Sequence, residues 1–174
     1  MFQVNILKAG SGDSILIRYK SGNSEKYILI DGGVGEIYTK EIKHIIAGLN
    51  QLDLIIVTHI DRDHIGGINK LLSSKNSIKL KEVIFNSANL IKKNNSNLIS
   101  ISDGINLVEH LKKQNIKVND VPVIIGSKRI DNDFTVEFLS PSIESLIQLE
   151  KNWSEIEKEQ KSTLMTSYKK IDNR

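Results

Sequence analysis

The sequence predicts an α/β protein: a mixed sheet with helices on one side. Three observations lead there. From Phe2 to Ile30 the chain reads as three consecutive strands in a meander, and from Glu36 onward helical and strand-like periodicities alternate. In addition, with 39% hydrophobic and 26% charged residues over 174 positions, the composition is that of one ordinary soluble domain with a core of its own.

The elements follow in order. Phe2 to Leu7 alternates apolar and polar residues, Ser14 to Tyr19 is rich in β-formers and Tyr27 to Ile30 repeats the pattern, with Gly10, Gly12 and Gly22 marking the turns. Glu36 to Leu49 spaces Ile37, Ile42, Ile45, Ile46 and Leu49 as a helix does, and Leu54 to Val57 is a short apolar strand. After the pair Gly66-Gly67 a helix is expected over Ile68 to Leu72, then a strand at Glu82 to Phe85. Asn86 to Ser100 is polar and asparagine-rich, a loop by composition, and Ser102 to Gln114 is an amphipathic helix. Val121 to Ile125 and Phe134 to Leu139 read as two strands joined by a turn around Asp131 to Asp133. From Ser142 a capped helix carries Ile143, Leu146, Ile147 and Leu149 on one side, trailing into the charged stretch Glu155 to Lys161. No internal repeat or linker divides residues 1–174, which read as one domain.

Composition removes several function classes. There is no cysteine, so disulfides, thiolate metal sites and cysteine nucleophiles are excluded, and any transition metal must be held by imidazole and carboxylate. No apolar run approaches the length of a membrane span and the N-terminus lacks a signal-peptide core, so a cytoplasmic protein without a membrane partner is expected. A net charge of +3 suits a polyanionic substrate only mildly, and aromatics at 5% do not make a base-stacking platform.

The chemistry concentrates in Thr58-His59-Ile60-Asp61-Arg62-Asp63-His64, directly after an apolar strand and directly before the glycine pair. A buried strand delivers such a segment to the end of a sheet, where α/β proteins commonly build their sites, and alternate positions can converge. Imidazole nitrogen and carboxylate oxygen together suit Zn²⁺, Mn²⁺ or Fe. The plain alternative is a polar loop in which one Asp caps a helix, but capping uses one carboxylate and leaves three ligand-type residues unexplained. Asp31, at a strand end before Gly32-Gly33, could accept hydrogen bonds from this segment or simply make a turn; Asp13 in its glycine-flanked loop has the same two readings.

The segment resembles the metal-binding signature of the metallo-β-lactamase superfamily, His-x-His-x-Asp-His, with Asp61 at the position of the second histidine. The form His-x-Asp-x-Asp-His followed by Ile65-Gly66-Gly67 is similar to the branch containing the hydrolase domain of bacterial DNA-uptake competence channels. Gly10-Ser11-Gly12-Asp13-Ser14 and Leu29-Ile30-Asp31-Gly32-Gly33 support the same likeness, which runs to about Leu139-Ser140-Pro141. The resemblance implies the N-terminal half of an αββα sandwich, a mixed sheet with flanking helices. It implies metal ligands at His59, Asp61, Asp63 and His64, the first two for one ion and the last two for a second. Asp63 would also orient the nucleophilic water, and Asp13 and Asp31 would support the ligands from behind.

Two divalent ions, Zn or Mn, would then serve a hydrolase acting on phosphodiester or other phosphate ester bonds, nucleic acid included. The bridging aspartate and later histidines of the family have no counterpart: the sole Gly-Asp pair is Gly12-Asp13, and His44 and His110 lie in amphipathic helices. The chain is therefore expected to stop near where the second half would start. Two other readings follow: a non-catalytic interaction module, its open sheet covered by a second copy or a partner domain, and a lactamase or thioester hydrolase.

Overall fold

The computed structural model describes residues 1–74, 78–86, 101–131 and 134–148. The meander is present: β1 (Phe2–Ile6), β2 (Ile15–Ser21) and β3 (Ser24–Ile30) pair antiparallel, Phe2 opposite Tyr19 and Ile15 opposite Ile30. A helical segment follows, built of α1 (Gly35–Ile37), a π-helical turn (Tyr38–Ile42) and α2 (Lys43–Ala47). Then come β4 (Gln51–Leu52), β5 (Leu54–Val57), α3 (Arg62–Ser73), β6 (Lys79–Leu80) and β7 (Glu82–Phe85). The described chain continues with α4 (Ile101–Lys113), β8 (Lys117–Val118), β9 (Lys128–Asp131) and β10 (Phe134–Glu137). Residues 143–148 are helical.

The main sheet has the order β1-β2-β3-β5-β7-β8, antiparallel through β3 and parallel from there on. This is the mixed α/β architecture expected. All residues of β5 and β7 are buried, as central parallel strands covered on both faces must be. On one face Leu29, Ile55, Val57, Val83 and Phe85 meet α3, α4 and the π turn through residues such as Ile42, Ile65, Ile68 and Leu107. The period of two sends Ile28, Leu54, Ile56 and Ile84 to the other face, where they join Tyr19 and are met by Val123, Phe134, Val136 and Phe138.

That second cover is the β9–β10 hairpin, the beginning of another layer, so the sheet lies between helices and strands as in part of an αββα sandwich. The hairpin is fixed at two points. Phe134 stacks on Tyr19 with ring centroids 4.4 Å apart while the Tyr19 hydroxyl donates to Asp131 at 2.9 Å; burial, and then this carboxylate, push the phenol up. Arg129 on β9 donates to Glu82 through Nη2 at 2.8 Å and Nε at 3.1 Å, and Lys117 reaches the same carboxylate at 2.9 Å.

Several sequence expectations are corrected. Val121 to Ile125 forms no strand. The Asn86 side-chain amide takes both backbone groups of Val123, each at 2.8 Å, and Gly126, at φ 84°, turns the chain. Strand pairing passes to the more polar Lys128–Asp131 instead. The helix expected from Ile68 begins at Arg62, because Gly66 and Gly67 lie inside it. The helix expected over Glu36 to Leu49 is interrupted by the π turn and ends at Ala47. Two-residue strands such as β4, β6 and β8 are too short to carry a periodicity. Ser142 does cap its helix, its Oγ accepting from Ser145 N–H at 3.1 Å. Asp131, expected in a turn with 132 and 133, instead ends β9 opposite Phe134. Of the remaining expectations, the loop after Asn86, positions 132 and 133, Leu149 and the charged stretch fall outside the described residues.

Two tests follow from this packing. Tyr38 is 1% exposed and its hydroxyl has no partner among the described residues, while burial pushes it up to about 12. Removing an unsatisfied buried hydroxyl costs nothing and relieves a desolvation penalty, so Tyr38→Phe should be neutral or stabilising by up to about 1 kcal/mol in urea unfolding. A loss above that size would show a hydrogen bond to the hydroxyl. For Glu82, burial pushes the carboxyl up, but Lys117 and Arg129 outweigh it and leave it below its ordinary 4.5. A lowered folded value means stability fully present above the ordinary value and lost as pH falls through the folded one. Because Lys117 and Arg129 reach solvent, the effect is modest: Glu82→Gln should cost about 1 kcal/mol near neutrality, and the gap should close below about pH 4. A gap that persists in acid would refute the ion-pair origin.

Candidate metal centre

β3 and β5 run parallel, so their C-terminal ends lie side by side, with Ile30 opposite Ile56. Asp31 follows directly on β3 and takes φ 54°, a left-handed conformation costing a non-glycine residue roughly 1 kcal/mol. It is held there by its N–H donating to Ile56 O at 2.9 Å and by buried Ser14 donating to its carbonyl at 3.2 Å. The turn aims the carboxylate, 2% exposed, under the end of β5.

There the carboxylate serves three donors. Thr58 N–H donates to Oδ1 at 2.9 Å, the Thr58 hydroxyl donates to Oδ2, and His64 Nδ1 lies 3.0 Å from Oδ2. An ionised carboxylate only accepts, so His64 Nδ1 carries a hydrogen, and in the neutral imidazole Nε2 is then the atom with a lone pair for a metal. The His59 ring sits against that of His64, centroids 3.9 Å apart, and its Nε2 is 3.6 Å from Asp61 Oδ2. Asp31, His59 and His64 each bring one ligand-type atom to within 4.8 Å of the others. Because both Asp31 oxygens already accept from the protein, Asp31 fits better as the anchor of the histidines than as a ligand itself.

The expected residues divide. His59, His64 and Asp31 are gathered in one cluster, and Asp61 stands at its edge beside His59. Asp61 occupies the N-cap of α3 without a side-chain capping bond, so helix capping does not account for its carboxylate. Asp63 is half-buried in the first turn of α3, outside the three-residue cluster, as is Asp13, which is exposed on its loop. His44 and His110 belong to α2 and α4 and are likewise not in the cluster. Thr58, which opens the segment running to His64, has no role assigned from sequence. A hydroxyl residue next to a ligand-type histidine at a strand end was the available signal.

Backbone crossings fix the start of α3. A Cβ at Gly12 would lie 1.6 Å from Asp63 O, and one at Gly67 would lie 1.9 Å from Gly32 O. Gly32 N–H donates to His64 O at 2.8 Å and Gly67 N–H to Gly33 O at 2.9 Å. The three glycine-bearing segments are thus one interlocked knot around the cluster. Beside His59 and Asp61 opens a groove of about 840 Å³, walled by Ile30, Ile56, Ile84, Val136, Phe138 and Leu146; among the described residues no Lys or Arg lines it.

Residues 7–83 match the family model of the metallo-beta-lactamase superfamily, a stretch that includes Asp31 and the whole of His59 to His64. The match points to metal-dependent hydrolase chemistry in general. No curated protein matches the chain.

The glycine knot gives a direct test. Gly12→Ala forces a carbon into the Asp63 carbonyl and should cost roughly 2 to 4 kcal/mol, whereas Gly22→Ala, with open space but φ 58°, should cost about 1 kcal/mol. Chemical denaturation of the two variants measures this; equal losses would mean that the crossing yields without cost.

Proposed function

We propose that the chain carries the histidine-aspartate part of a metal-dependent hydrolytic centre acting on phosphodiester or other phosphate ester bonds. The observation that carries the proposal is the pairing of His59 and His64, ring against ring over a shared buried carboxylate, with Asp61 beside His59 Nε2. The donor set is nitrogen and oxygen alone, which fits Zn²⁺ or Mn²⁺. His59 and Asp61 are assigned to one ion, Asp63 and His64 to a second, with Asp31 and Asp13 behind them. Bound divalent ions would supply charge neutralisation and a water acidic enough to attack at neutral pH. Asp63 has the role of accepting a hydrogen bond from that water and setting its direction. Asp31 holds the imidazole of His64 at Nδ1, and the groove beside His59 and Asp61 has mostly apolar walls. In the described residues no helix is long and apolar enough to cross a membrane, and a cytoplasmic location is part of this reading.

Phosphate ester specificity rests on the sequence likeness of the His59 to Gly67 segment and on a pI near 9.0. The groove favours a second reading, a lactam or thioester substrate with an apolar body, because among the described residues its walls are mostly apolar and include no Lys or Arg to meet a phosphate. A third, an interaction module, draws support from Val4 and Ile6, 49% and 84% exposed on the apolar face of β1, which a partner domain or second copy would cover.

The test is metal content by mass spectrometry on protein purified without chelator, followed by Zn²⁺ and Mn²⁺ titration. His59→Ala combined with Asp63→Ala should abolish binding while circular dichroism stays that of the parent; unchanged metal in the double variant defeats the site. Loaded protein is then assayed on bis-p-nitrophenyl phosphate and on a p-nitrophenyl thioester. Turnover of the first alone supports the proposal, and turnover of the second alone replaces it with the acyl reading.

A further inference from the structure

We propose that Thr58 is the positioning residue of His59, fixing its tautomer and ring direction through a relay from Asp31; the inference rests on the metal reading above only for its effect on affinity. The Thr58 Oγ1 lies between the Asp31 carboxylate, to which it donates, and His59 Nδ1 at 2.9 Å. A hydroxyl has one proton. With that proton given to Asp31, Oγ1 faces His59 as an acceptor, so His59 Nδ1 must carry a hydrogen, and in the neutral ring Nε2 is left with the lone pair. His64 reaches the same state by direct contact, Nδ1 3.0 Å from Asp31 Oδ2. One carboxylate therefore sets both histidines, one at first hand and one through the threonine.

The relay answers a specific need. His59 has a side chain 46% exposed, against 13% for His64, so packing restrains it far less and the bond at Nδ1 must do more of the positioning. An isolated neutral imidazole exchanges between its two N–H forms, and only the form with Nε2 unprotonated presents that atom to an ion. Thr58 Oγ1 belongs to an exposed residue at the end of β5, and its backbone N–H has its own bond to Asp31 Oδ1, so the main chain stays anchored when the hydroxyl is removed.

The experiment compares the parent chain with Thr58→Val and Thr58→Ser. Long-range ¹H–¹⁵N spectra of the metal-free protein, which distinguish neutral from doubly protonated rings, report each histidine's tautomer; Zn²⁺ titration reports affinity. In Thr58→Val, His59 should lose its Nδ1–H preference while His64 keeps its own, and Zn²⁺ affinity should fall about tenfold. Thr58→Ser should restore both. A purely structural role would disturb both histidines together or neither. An unchanged His59 tautomer in Thr58→Val overturns the proposal, as does a valine defect that serine fails to rescue. If the parent binds no Zn²⁺, the metal reading falls, yet the tautomer spectra still decide the role of Thr58.

Discussion

Everything around the candidate site hangs on the Asp31 carboxylate. It sits at the junction of two parallel strands and the helix that follows the second, and it accepts from both. Burying a charged group nearly completely is costly unless its lone pairs are used, and here each oxygen has a donor from Thr58 while one also faces His64. The left-handed backbone at Asp31 is the local strain that makes this aim possible, and the bonds around it hold that strain in place.

The second constraint is closeness of backbone. His64 can face Asp31 only because the first turn of α3 lies on the Gly32-Gly33 turn and against the Gly12 loop at distances that exclude a side chain. The helix is then held from its other side by Ile65 and Ile68, fully buried between the sheet and neighbouring helices. Core packing, glycine contacts and the carboxylate junction therefore determine one position for the histidines, which is the preorganisation a metal site requires.

The opposite face of the sheet shapes what can approach. The β9–β10 hairpin covers part of it and leaves an apolar groove opening beside His59 and Asp61. Residues of the same sheet face thus act as core under the hairpin and as groove wall beyond it. The two roles differ only in what lies above them.

Sequence alone determined the mixed α/β architecture, since alternation with period two in β1 to β3 and the apolar runs of β5 and β7 follow from which faces must be buried. It also located the ligand-type residues around His59 and His64, because their density at a strand end is visible in one dimension. Tertiary structure alone decided how they divide: Asp31 under the cluster, Asp61 at its edge, Asp13 away from it, and Thr58 between Asp31 and His59. It likewise decided that Gly66-Gly67 lies within a helix and that Val123, in place of strand pairing, meets the side-chain amide of Asn86. Local pattern records what each segment can bury. The partner across 27 residues that accepts a threonine hydrogen bond, or the carbonyl that forbids a Cβ, exists only once distant segments meet.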